Sequence, residues 1–243
     1  MGVRQVRIAD TIAFPNGATG AVIVLMEVES LQGSVERYAL PVAFATGREA
    51  GRVRETLSQA VVAELRRGGR GRRGDGVLYD ALESSAWSTS LLDAIGRRRQ
   101  VRGGAGEVGV TITRAYRSLR GPADVPLPVS ILRAEQSHTS LVFGERLILK
   151  LYRRLAEGIN PDLQVGRCLT EQARFTHTAP VAGALEYRKP RREPLTLGFL
   201  QGFVPNERDL DWRRPAGDGH LAARVGDGDQ CGDARAGAQH RAG

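Results

Sequence analysis

The stretch that most constrains this chain is TSLVFGERLILKLYRRLAEGINPDLQVG, residues 139–166. Its two apolar runs flank Gly144-Glu145, which fits a tight hairpin turn between antiparallel strands. Strand periodicity puts Ile148, Lys150 and Tyr152 on one face and Leu147, Leu149 and Leu151 on the other. Asn160-Pro161-Asp162 then has the composition of a helix start: an N-cap, a proline at the first helical position and an acid in the first turn. That helix is expected to run to about Gln172. A strand over 129–133 precedes this stretch. Two more, over 181–187 and 195–204, follow it and are joined by the basic turn Lys189-Pro190-Arg191-Arg192.

The order three strands, helix, two strands is that of a protein-kinase-like small lobe, expected over residues 127–207. A β-rich segment over 1–121 comes before it. There, apolar runs at 21–28 and 38–44 read as a hairpin around Gly33, and short runs at 61–63 and 76–79 as further strands. Trp87, Leu91, Leu92 and Ile95 fall at helical spacing, so a helix is expected over 85–99, ended by Gly103-Gly104-Ala105-Gly106. The fold class expected is α+β.

Arginine supplies 33 of the 35 basic side chains; the two lysines are Lys150 and Lys189. A chain that writes nearly every cation as arginine yet keeps lysine inside an apolar strand raises the question of what needs an ammonium there. One answer is an edge lysine that blocks strand pairing or snorkels to solvent. The other is a phosphate ligand. In a kinase-like small lobe the loop between the first two strands covers ATP phosphates, and a lysine on the third strand meets them. Residues 135–143 supply such a loop through Ser137, His138, Thr139 and Ser140, and Lys150 stands on the third strand.

The formal net charge of +8 admits a polyanion partner. Its densest basic stretch, residues 66–73, carries no interleaved aromatic and reads as a solvated loop, so nucleic acid is not expected as a partner. No membrane is expected either: no apolar run approaches a membrane span and the N-terminus lacks a secretory pattern. Cys168 and Cys231 have no metal or redox spacing, in keeping with a cytoplasmic setting.

The run EQSHTSLVFGERLILKLYRRLAEGINPDLQVGRCLTE, followed by GALEYR and LQGFVPN, resembles bacterial maltokinases, including the kinase half of trehalose synthase–maltokinase fusions. The resemblance extends over about residues 3–207 and makes the β-rich segment the family's N-terminal cap. It implies phosphorylation of maltose with ATP and Mg²⁺ to maltose 1-phosphate, feeding α-glucan synthesis, and a possible association with trehalose synthase. It also implies that Ser137, Thr139 and Ser140 are phosphate-loop positions, Lys150 the ATP lysine, and Gln201, Phe203 and Val204 part of the hinge that reads adenine. His138 stands where the family has Asn, Gly202 where it has an acid, and Gln164 where its helix carries Glu. Glu171, on the same helical face as Gln164, is a candidate substitute carboxylate for Lys150; the alternative is a solvent-exposed acid at the helix end.

The resemblance implies no catalytic residue and no metal ligand within this chain, because a catalytic aspartate loop and acidic Mg²⁺ ligands belong to a second lobe. Of the 36 residues from 208 to 243, 26 are Gly, Ala, Arg or Asp and three are Leu or Val, which predicts a disordered low-complexity tail, either natural or read out of frame. Two functions are therefore expected: the cap and small lobe of a maltokinase, truncated and inactive alone, or a non-catalytic module docking on trehalose synthase or an intact kinase.

Overall fold

The computed structural model describes residues 2–14, 20–66, 75–132, 138–173, 175 and 177–205. Most of the arginine–glycine stretch, Ser137, Cys231 and the expected tail lie outside the described residues.

The first segment opens with three strands, β1 (Val3–Ala13), β2 (Val22–Ser30) and β3 (Val35–Thr46). Next come helix α1 (Gly47–Thr56), strands β4 (Val61–Leu65) and β5 (Gly76–Asp80), and helix α2 (Ser85–Gly96). The segment closes with β6 (Val101–Arg102), β7 (Glu107–Ile112) and helix α3 (Ala115–Arg120). The second segment holds β8 (Val129–Leu132), β9 (His138–Phe143), β10 (Leu147–Tyr152) and β11 (Arg154–Leu155). Helix α4 (Pro161–Arg167), β12 (Val181–Arg188) and β13 (Leu195–Gly202) complete it. The three-strand, helix, two-strand order expected from residues 139–166 and their flanks is present, with β11 as an addition.

Two antiparallel sheets result. One has the order β1-β2-β3-β5-β4, with β11 also pairing to β3; the other runs β6-β7-β12-β13-β10-β9-β8. Turn chemistry fixes the hairpin registers. Gly33 takes φ 84° between β2 and β3, and Gly144 and Glu145 both take φ 55° between β9 and β10. Positive φ at both central residues is the type I′ pattern, whose twist matches that of the flanking strands.

Alternation along β10 is as expected: Leu147, Leu149 and Leu151 are buried, while Ile148, Lys150 and Tyr152 are half-buried. The three leucines join one apolar core with Ile12 and Ile23 of the first sheet and Trp87, Leu91 and Ile95 of α2. Ser84 caps α2, its hydroxyl accepting the Trp87 N–H at 3.3 Å.

Helix α2 ends at Gly96, so Arg97-Arg98-Arg99 follow the helix instead of forming its last turn. The glycine-rich 103–106 stretch is more than a helix breaker; it joins β6 to β7, and β7 pairs with β12 from Ile112 to Glu107. The two sheets thus exchange strands across residue 121, since β11 returns to β3 in the same way. Helix α1 was not expected because only Ala50 and Val53 of its ten residues are buried, too sparse a stripe to register as periodicity.

The Asp10 carboxylate is one joint between the two sheets. Asp10 of β1 is 6% exposed. It accepts the Gly104 N–H at 2.6 Å, the Ala105 N–H at 3.1 Å and the Tyr187 hydroxyl of β12 at 2.5 Å, besides its own neighbour Thr11 N–H at 2.7 Å. Gly103 has to be glycine here, since a Cβ would come within 2.5 Å of an Asp10 carboxylate oxygen. Burial pushes the Asp10 carboxyl up. The hydrogen bonds from Tyr187, Ala105, Thr11 and Gly104 outweigh that and hold it below its ordinary value. Burial, then the bond to Asp10, pushes the Tyr187 phenol well above its ordinary range.

Candidate functional site

Directly opposed residues of antiparallel strands share a face. Lys150 is opposite Ser140 on β9 and Phe199 on β13, Tyr152 is opposite His138, and Ile148 is opposite Gln201. His138, Ser140, Lys150, Tyr152, Phe199 and Gln201 therefore lie on one face of the second sheet. Thr139 is opposite Leu151 and belongs to the other face, where its hydroxyl accepts Arg153 Nε at 3.2 Å. The same Arg153 pairs with Asp80 at 2.5 Å, anchoring β10 to the first segment.

Helix α4 covers part of the Lys150 face. Asn160 caps it by accepting the Leu163 N–H at 3.1 Å, and Pro161 occupies the first turn, as the sequence implied. Leu163 is the helix's buried residue, and packs with Val181, Ala184, Phe199 and Tyr152. Beyond Arg167 the helix widens into a π-type turn, Cys168–Gln172. Thr170 secures that turn, donating to Gly166 O at 2.7 Å and accepting the Val181 N–H at 2.9 Å.

Between helix and sheet lies a cleft of about 300 Å³. The sheet side contributes Lys150, Val181, Phe199 and Gln201; the helix side contributes Asp162, Val165, Gly166 and Leu169; Thr178 lies on the connecting loop. Lys150 Nζ stands 5.8 Å from the centroid of the Phe199 ring, within cation–π range. Among the described residues the ion pairs of this lobe are Arg153–Asp80, Arg154–Glu36, Arg37–Glu157 and Arg188–Glu186, and none includes Lys150. Tyr152 donates to Asp162 Oδ2 over a long 3.4 Å.

The expected site residues are thus only partly brought together. Lys150 and Gln201 line the cleft, and His138 and Ser140 share its face. Glu171 sits exposed on the π-turn and Gln164 exposed on α4, neither lining the cleft. Phe203 is held by its N–H to Arg146 O at 2.9 Å, and Val204 is exposed. The carboxylate the fold does bring to this cleft is Asp162, which sequence reasoning took only as a first-turn helix acid. Phe199 also went unnoticed, because its position opposite Lys150 depends on the register between β10 and β13.

The arrangement offers an ammonium, an amide, a hydroxyl and an aromatic wall in one small concavity, with the exposed Asp162 carboxylate on its helix side. Such a set suits a ligand with an anionic part and a flat apolar part. Among the described residues no group of three or more His, Cys, Asp or Glu side chains converges to hold a metal ion. No helix among the described residues is long and apolar enough to cross a membrane.

No family model matches the sequence. Two glucosamine kinase structures are among the solved structures similar to the chain. One is a glucosamine kinase (crystal form B), with a TM-score of 0.48 and 16% identity over 84% of this chain and 36% of that one. The other is a glucosamine kinase in complex with glucosamine, ADP and inorganic phosphate, with a TM-score of 0.49 and 16% identity over 84% of this chain and 37% of that one. The chain spans little more than a third of the length of these structures.

Proposed function

We propose that the described residues form the nucleotide-binding part of an ATP-dependent sugar phosphotransferase of the maltokinase kind. The observation that carries this reading is Lys150: an ammonium on the third strand of the lobe, opening into a cleft beside a capped helix, with no carboxylate paired to it among the described residues. Leaving such a charge half-buried costs stability, which a bound phosphate offsets.

The residues present fit ATP in chemical type. Lys150 would meet the phosphates, with Ser140 on the same face; Phe199 and Val181 would form the apolar wall and Gln201 would offer its amide to the base. ATP supplies the transferable phosphoryl group. Lys150 orients and neutralises the phosphates, and the helix and sheet exclude water from one side of them. Among the described residues no acidic cluster converges to hold Mg²⁺. Maltose as acceptor follows from the resemblance of residues 135–171.

A competing reading, a non-catalytic module docking on trehalose synthase or a complete kinase, is favoured by the edge strand β1, which leaves Val3, Val6 and Ile8 exposed. Calorimetric titration with ATP, ADP and adenosine separates the two. The phosphotransferase reading expects ATP and ADP to bind and adenosine to bind at least about tenfold more weakly, since the phosphates supply the contact with Lys150. Absence of nucleotide binding at millimolar concentrations would leave the docking module standing.

A further inference from the structure

The second lysine, in the turn between β12 and β13, also borders a cleft. Its volume is about 250 Å³. Ala9, Leu25 and Tyr38 line it from the first sheet; Leu155, Tyr187 and Leu195 line it from the second segment. Leu25, Leu155, Tyr187 and Leu195 are all buried, so the floor is apolar. Lys189 Nζ stands over the Tyr187 ring, 5.7 Å from its centroid.

The rim is charged and unbalanced. Four cations, Arg7, Arg37, Lys189 and Arg192, face three carboxylates, Glu27, Glu157 and Glu193. Glu27 is taken by Arg7 and by Arg37 at 3.4 Å, and Glu157 by Arg37 at 3.0 Å. None of these pairs uses Lys189 or Arg192. Exposed Glu193 is the remaining acid, and one positive charge is in excess.

The turn that presents the two cations is strained. The Arg192 N–H donates to Lys189 O at 3.3 Å, closing a β-turn with Pro190 at its second position. Arg191 takes the third position at φ 58°, in the type II pattern that ordinarily calls for glycine. A non-glycine residue held there is a feature that function often explains.

We propose that this cleft binds a small organic monocarboxylate, its charge between Lys189 and Arg192 and its apolar body over Tyr187, Leu25 and Leu195. Arginine's planar fork suits a carboxylate, and the single excess charge suits a monoanion. Because the lining comes from both sheets, the ligand would hold them together. This proposal is independent of the nucleotide reading.

The full chain should be titrated with benzoate, benzyl alcohol and inorganic phosphate by calorimetry, with melting curves alongside. Benzoate is expected to bind and to raise the melting temperature. Benzyl alcohol, a similar body without the charge, and phosphate, a charge without the body, should bind at least about tenfold more weakly. The double variant Lys189→Met, Arg192→Gln should weaken benzoate at least about tenfold while leaving ATP affinity unchanged. Ala9→Leu, which fills the floor and keeps both cations, should weaken it as well. Absence of saturable benzoate binding, phosphate binding as tightly as benzoate, or an unchanged benzoate affinity in the folded double variant would each overturn the proposal.

Discussion

Asp10 and Lys150 are both charged groups set into apolar strands, and the fold treats them in opposite ways. Asp10 receives four hydrogen bonds, three of them from residues more than 90 positions away in the chain. Lys150 has an aromatic ring across the strand and an open cleft in front of it. A buried charge surrounded by donors is a joint, because its desolvation is already offset within the protein. Lys150, half-buried and without a carboxylate ion-pair partner among the described residues, is suited to meet something from outside. The contrast separates the structural from the functional use of charge in one molecule.

The comparison breaks most readily at the joint. Asp10→Ala would leave the Gly104 and Ala105 N–H groups and the Tyr187 hydroxyl without their acceptor. The expected cost is about 3 kcal/mol in denaturant melts. Tyr187→Phe removes one of those bonds, a bond to a charged group, and should cost about 2 kcal/mol. The same joint predicts how stability depends on pH. Asp10 is held below its ordinary value, so the unfolded chain binds its proton first on acidification. Its contribution is complete above about pH 4 and is lost as pH falls through the folded value. Tyr187 is raised, so its contribution is complete below about pH 10 and is lost as pH rises above that. Melting curves of Asp10→Asn and Tyr187→Phe should each lose the slope at the corresponding end of the pH range.

Smaller effects are expected around the cleft. Asn160→Ala removes the cap of α4 and should cost about 1 kcal/mol, with part of the cleft wall loosened. Lys150→Met keeps the stem and removes the charge. Its stability should change by no more than about 0.5 kcal/mol, in contrast to the joint. A loss at Lys150 comparable to that at Asp10 would mean that the lysine is structural.

How much of this was legible in the sequence follows from the range of each interaction. The β9–β10 hairpin, the capped helix and the alternation about Lys150 are local, and each was readable from a few neighbouring residues. Face assignment needed register, so Thr139 could not be told apart from Ser140 until its opposition to Leu151 was known. Glu171 was chosen by helical spacing from Gln164, but both are exposed, and Asp162 is the acid that reaches the cleft. The Asp10 joint had no sequence signal, because its partners are separated from it by 94 to 177 residues. Gly103-Gly104-Ala105-Gly106 was its one local trace, and there it resembled an ordinary helix stop.

The scarcity of lysine allows the central claim to be tested directly. Reductive methylation with ¹³C-formaldehyde keeps the charge and labels two side chains, Lys150 and Lys189, along with the terminal amine. Lys150→Arg assigns the first signal by its disappearance. Titration with ATP should shift the Lys150 resonance in a saturable way and leave that of Lys189 in place. A Lys150 resonance that stays unmoved while ATP binds, or a response confined to Lys189, would contradict the account.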